Sequence, residues 1–96
     1  MFGRVSHIFG IPEQLETAVP MLQEGVDQVQ GLPGFEGAYL LVDREGGKIM
    51  TLTFWNNASD LKSSAPVAEG ILARAAERAG ASTPAQTQTY EVLLEI

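Results

Sequence analysis

The sequence contains no cysteine and a single histidine, His7, among its 96 residues. Disulfides, thiolate nucleophiles and cysteine-ligated metals are therefore excluded, and one imidazole is too few for an ordinary transition-metal site. Basic residues are scarce as well: six Lys and Arg stand against twelve Asp and Glu, for a net charge of −6. Scattered at Arg4, Arg44, Lys48, Lys62, Arg74 and Arg78, they form no stripe that could follow a phosphate backbone, so neither nucleic acid nor an anionic membrane is an expected partner. No apolar run approaches the roughly 18 residues that cross a bilayer, and no signal-peptide pattern is visible, so a cytoplasmic protein is expected. Nucleotide-binding glycine motifs and the Gly-x-Ser-x-Gly nucleophile elbow are missing too.

What is present is best organised around Leu32 to Asn56. Two runs of β-branched, aromatic and aliphatic residues flank the charged, glycine-centred break Asp43-Arg44-Glu45-Gly46-Gly47-Lys48, and Pro33-Gly34 precedes the first run. This is the pattern of a β-hairpin. With Gly46 and Gly47 as the turn, Glu45 pairs with Lys48, Leu40 with Thr53 and Ala38 with Trp55; a four-residue turn keeps the same parity. Tyr39, Leu41, Met50, Leu52 and Phe54 then share one face, and Ala38, Leu40, Val42, Thr51, Thr53 and Trp55 the other. Both faces are apolar, so one is expected to pack on helices and the other on a second copy of the chain. A domain of 96 residues buries only about 60 to 65% of its unfolded surface alone, which favours the same homodimer.

The remaining elements follow from periodicity. Phe2 to Phe9 suits a first strand. Pro12 opens a helix running to Gln30, with Leu15, Ala18, Val19, Leu22, Val26 and Val29 as its apolar stripe; Pro20 is expected to bend it near residues 16 to 20 without splitting it in two. Asn57, with Asp60 three residues on, caps a short helical turn. Pro66 starts a further helix to Ala79, closed by Gly80, and Thr87 to Ile96 alternate as a last strand. The order β, α, β, β, α, β predicts an α+β, ferredoxin-like fold over a single domain, 1–96: a four-stranded antiparallel sheet with the helices on one face.

Leu-Pro-Gly-Phe at 32–35, Leu-Leu-Val-Asp-Arg-Glu at 40–45, Thr-Leu-Thr-Phe-Trp at 51–55 and Tyr-Glu-Val at 90–92 together resemble the antibiotic biosynthesis monooxygenase type of dimeric α+β barrel. The resemblance implies protomers that dimerise by facing their sheets, each with a pocket between sheet and helices. In the quinone-forming branch it implies use of oxygen without metal, flavin or haem, with an Asn and a Trp one helical turn later holding a phenolic substrate. Asn56 and Asn57 stand in that neighbourhood, but Asp60 and Leu61 follow, and the tryptophan is on the strand at Trp55. A haem-degrading relative would carry an Asn on the first strand and a His on a later helix; this chain has Ser6 and His7 on the strand and no later His.

The expected function is thus a cofactor-independent, monooxygenase-like protein for a small hydrophobic phenol or quinone. In it His7 would accept the phenolic proton, Asn56 or Asn57 would bind oxygen, and Trp55, Tyr39 and Thr53 would contact the ring. Each residue also has a structural reading: Trp55 as core, the asparagines as turn and cap, His7 and Tyr39 as strand packing. The alternative function is a non-catalytic dimeric barrel that binds a small apolar metabolite or a protein partner.

Overall fold

The computed structural model describes residues 1–96. Strand β1 (Phe2–Phe9) leads through one turn of 3-10 helix (Pro12–Gln14) into helix α1 (Leu15–Gln30), and the hairpin is β2 (Phe35–Asp43) and β3 (Lys48–Trp55). Helices α2 (Ala58–Ser63) and α3 (Ala65–Arg78) precede the last strand, β4 (Gln86–Glu91). Strands lie in the order β2-β3-β1-β4, each antiparallel to its neighbour. This is the ferredoxin-like α+β arrangement that the element order predicts, and no helix is long and apolar enough to cross a membrane.

The hairpin turn is longer than the two-glycine version. Asp43, not Glu45, pairs with Lys48, which moves the register by two residues and leaves the faces unchanged. Local chemistry favours the wider turn: the Gly46 N–H donates to Asp43 Oδ1 at 3.0 Å, and Gly47 takes a φ of 71° that suits glycine. A bulge at Glu36 then lets Phe35, rather than Ala38, face Trp55. The two rings meet edge to face at 5.6 Å.

Helix α1 continues through Pro20, which lies on its exposed side, where water can serve the Glu16 carbonyl left without a donor. Its buried stripe is Leu15, Ala18, Leu22, Gly25 and Val29, and α3 answers with Ala68, Ile71, Leu72, Ala75 and Ala76. Ile8, Ile49 and Trp55 join these helix residues in one core, so both long helices cover the same sheet face. The last strand stops at Glu91, short of the expected Ile96. Glu91 pairs with Phe2, the first residue of β1, and the Val92 N–H reaches the Met1 carbonyl at 2.9 Å, where the ladder ends. Leu93, Leu94 and Ile96 are exposed.

The inner sheet face is graded along its strands. Ile8, Ile49 and Val42 make one apolar row and Phe2, Trp55 and Phe35 another. Between them run two rows rich in polar groups, Thr87-Ser6-Thr51 and Thr89-Arg4-Thr53. On the outer face Val5, Leu52, Tyr39, Leu41, Met50 and Phe54 alternate with this set. Tyr39 is 64% and Leu41 48% exposed there.

Helix contact depends on Gly25, where a Cβ would stand 2.5 Å from Ile71 Cγ2, while Gly70 has no neighbour nearer than Arg74 Nη1 at 4.0 Å. Gly25→Ala is expected to lower unfolding free energy by about 1 kcal/mol or more despite alanine's better helix propensity, because the helices must separate. Gly70→Ala should raise it by up to about 1 kcal/mol. Urea unfolding of the pair decides: a stabilised Gly25→Ala would show that the helices do not approach at this point.

Candidate functional site

The polar rows leave space beneath the helices. A small, partly open pocket of about 40 Å³ lies between the sheet and helices α1 and α3, bounded by Arg4, Ser6, Thr51 and Thr53 on one side and Leu22 and Ile71 on the other. Such a volume holds a small polar group or a few waters, not an aromatic ring system. Next to it a groove of about 590 Å³ runs between β1 and β4 and helices α2 and α3, with Phe2, Leu61, Ala65, Ala68 and Leu72 among its apolar walls. That groove has the size of a small-molecule site. Arg4 lines both spaces.

Arg4 comes to this position by strand parity. It shares the inner face of β1 with Phe2, Ser6 and Ile8, and only 5% of it is exposed. Its Nη2 donates to the Leu61 carbonyl at 2.7 Å, where α2 is ending, and its guanidinium carbon lies 6.0 Å from the centre of the Trp55 ring. The same carbonyl accepts a bond from Ser64 Oγ at 2.6 Å. Buried Nη1 has no hydrogen-bond partner. Burial lowers the Arg4 pKa from its ordinary value, and the negative charge of Glu69 partly offsets that shift. A buried guanidinium with no carboxylate against it is costly, since its lost hydration is not replaced.

The hydroxyls beside it are already arranged. Ser6 Oγ and Thr87 Oγ1 share a bond of 2.9 Å across β1 and β4, and Trp55 Nε1 donates to Thr53 Oγ1 at 3.0 Å. Thr53 thus accepts from the indole and keeps its own proton to donate. The polar inventory of the cavity wall is one guanidinium and three hydroxyl residues, Ser6, Thr51 and Thr53. These can bind and polarise an oxygen atom, but none is a base at neutral pH.

The six residues singled out in the sequence are not brought together. Thr53 lines the cavity. Trp55 is fully buried, its ring covered by Phe35 and Arg4, so it supports Thr53 and leaves no face for a ligand. His7 lies on the opposite side of the sheet, paired with Met50 and stacked 6.1 Å from Phe9, because odd-numbered residues of β1 face outward. Tyr39 is on that outer face too, edge-on to Phe54 at 6.3 Å. Asn56 and Asn57 are exposed beyond the end of β3; the Asn56 N–H meets the Gly34 carbonyl at 2.7 Å, and Asn57 Oδ1 caps α2 through the Asp60 N–H at 2.8 Å. Arg4 and Ser6 were missed because an arginine in a short strand suggests a solvated charge. What places them inside is tertiary: Arg4 and Ser6 pair with Thr53 and Thr51, and the Leu61 carbonyl meets the guanidinium.

The cap gives Asn57 a measurable structural task. Asn57→Ala should lower stability by about 1 kcal/mol, and Asn57→Ser should retain most of it, since a hydroxyl accepts from the Asp60 N–H and can still donate to the Asp60 carboxylate that Asn57 Nδ2 meets at 3.0 Å. Equal stability of all three proteins in urea would show that α2 does not depend on this bond.

No protein-family model matches the chain, and no curated protein sequence does. Solved structures do match over nearly its whole length. A monooxygenase of Streptomyces coelicolor, solved with the ligand nanaomycin D, superposes with a TM-score of 0.79 at 16% identity, covering 99% of this chain and 89% of that one. A protein from Deinococcus radiodurans proposed to be an antibiotic biosynthesis monooxygenase gives 0.79 at 15% identity over 100% and 96% of the two chains. A protein of unknown function from Nitrosomonas europaea gives 0.79 at 13% identity over 99% and 91%. At such identities the likeness is one of architecture, and it establishes that the chain has the fold of the antibiotic biosynthesis monooxygenase structures.

Proposed function

We propose that residues 1–96 act as one cytoplasmic, monooxygenase-like domain that takes a small hydrophobic phenol or quinone into the groove between its sheet and helices, without a cofactor. The observation that carries this reading is the apolar groove of about 590 Å³ with a buried cation in its floor, in a fold shared with an oxygenase. The chemistry asked of the protein is modest. Apolar walls remove water from the ring, Arg4 and the Thr53 hydroxyl favour the ionised oxygen, and the electron-rich ring reacts with dioxygen. One oxygen atom becomes a ring carbonyl, the other leaves as water, and the substrate supplies the electrons.

A second reading is favoured by one feature: the cavity wall holds hydroxyls and a guanidinium, while His7 lies behind the sheet. On that reading the protein binds its aromatic ligand and does no chemistry on it. Thermal-shift measurements against polycyclic phenols, quinones, haem and flavins, with oxygen uptake followed for every binder, separate the two. The oxygenase reading expects saturable stabilisation by a phenol, about 2.7 kcal/mol at a hundredfold excess over Kd, together with oxygen consumption that Thr53→Val reduces. Stabilisation with no uptake would establish the binder instead.

The outer sheet face belongs to the same proposal. Val5, Leu41, Met50, Leu52 and Phe54, with the exposed Tyr39, form an apolar surface larger than isolated surface hydrophobics account for, and a second copy facing it would close a barrel. Light scattering at micromolar concentration should report a dimer, and Leu41→Asp should shift it toward monomer. A monomeric wild type would remove the dimer from the account.

A further inference from the structure

We propose that Arg4 is the anchor for a single ionised oxygen, carboxylate or phenolate, on a ligand whose apolar body occupies the groove. This rests on the groove being the ligand site proposed above, and it specifies the chemical class of what enters. Arg4 is 95% removed from solvent by its 5% exposure, yet Nη1 has no partner. The Leu61 carbonyl is already engaged, accepting from both Arg4 Nη2 and Ser64 Oγ. Glu69 acts on the guanidinium through its charge but forms no ion pair with it. The side chain lines both spaces, is fixed at its other nitrogen and keeps one donor unused, so a ligand oxygen that displaces the packing over Nη1 gains a charge-assisted hydrogen bond.

The two spaces that meet at Arg4 divide the ligand. The cavity of about 40 Å³ has room for an oxygen-sized head, with the Thr53 hydroxyl available as a second donor, whereas only the groove has room for rings. The rim narrows the class further. Glu69 and Glu91 line the groove against a lone Lys62, so a multiply charged anion is repelled on entry while a monoanion with an apolar body is tolerated. Phosphate esters and dicarboxylates are thereby disfavoured, and aromatic monocarboxylates and acidic phenols are favoured.

Calorimetric titration of the full chain at pH 7 with 2-naphthoate, 2-naphthalenemethanol and 2-naphthyl phosphate tests this without using oxygen. Wild type should bind the naphthoate at least about tenfold more tightly than the neutral alcohol and more tightly than the phosphate. Arg4→Met, checked for folding by circular dichroism, should bring naphthoate and alcohol within about twofold of each other. Arg4→Lys keeps the charge without the planar fork and should retain only part of the preference. Equal binding of acid and alcohol by wild type, no saturable binding of the acid, or an undiminished preference in Arg4→Met would each overturn the proposal. If Arg4→Met does not fold, the wild-type selectivity and Arg4→Lys decide it. A protein that selects naphthoate but consumes no oxygen with any phenol loses the oxygenase reading and keeps this one.

Discussion

Two polar cross-strand rows in the middle of an otherwise apolar sheet face constrain everything above them. Thr87-Ser6-Thr51 and Thr89-Arg4-Thr53 lie where a small α+β domain would ordinarily place aliphatic side chains. Helices α1 and α3 pack with Ile8, Ile49 and Trp55 in one core, and a small pocket lies between them and the polar rows. The surrounding core holds the fold while one of these rows carries a buried guanidinium without an ion-pair partner. Functional sites commonly depart in this way from the rules that govern the rest of a core, and the proposed ligand site uses this departure.

The same sheet presents two faces of different character. Strand alternation sends Arg4, Ser6, Thr51 and Thr53 inward, and it sends Val5, His7, Met50, Leu52 and Phe54 outward. The inward set meets helices; the outward set is half-buried among its own neighbours, with His7 on Phe9 and Tyr39 on Phe54. Proposed dimerisation and proposed ligand binding thus draw on opposite parities of the same strands, so a substitution on one face changes the other only through the backbone.

Much of this was legible in the sequence. The two faces of the hairpin survive a register error of two residues because the period of a strand is two, so Thr51, Thr53 and Trp55 share a side whichever turn is chosen. The Asn57 cap and most of the α1 stripe, Leu15, Ala18, Leu22 and Val29, were visible in spacing alone, while Val19 and Val26 are only half-buried and Gly25 takes a buried place because α3 comes close there. Positions that depend on tertiary partners were not. Strand β1 has apolar residues at both parities, Phe2 and Ile8 on one and Val5 and Phe9 on the other, so periodicity gives no reason to bury Arg4. Only the pairing with Thr53 and the Leu61 carbonyl at the end of α2 reveals it. The end of β4 was equally hidden, since the alternation of Tyr90, Val92 and Leu94 continues after β1 has run out. His7 attracts notice as the sole imidazole, but its parity sends it away from the cavity.

The central claim is that the unpaired Nη1 of Arg4 is held for a ligand oxygen, and a crystal structure of the protein with 2-naphthoate tests it most directly. The account predicts a carboxylate oxygen within hydrogen-bond distance of Nη1 and the naphthalene ring in the groove against Ala68 and Leu72 of α3. A ring seated on the outer face beside His7 and Tyr39, or a carboxylate held at Lys62 while Nη1 stays without a partner, would contradict it.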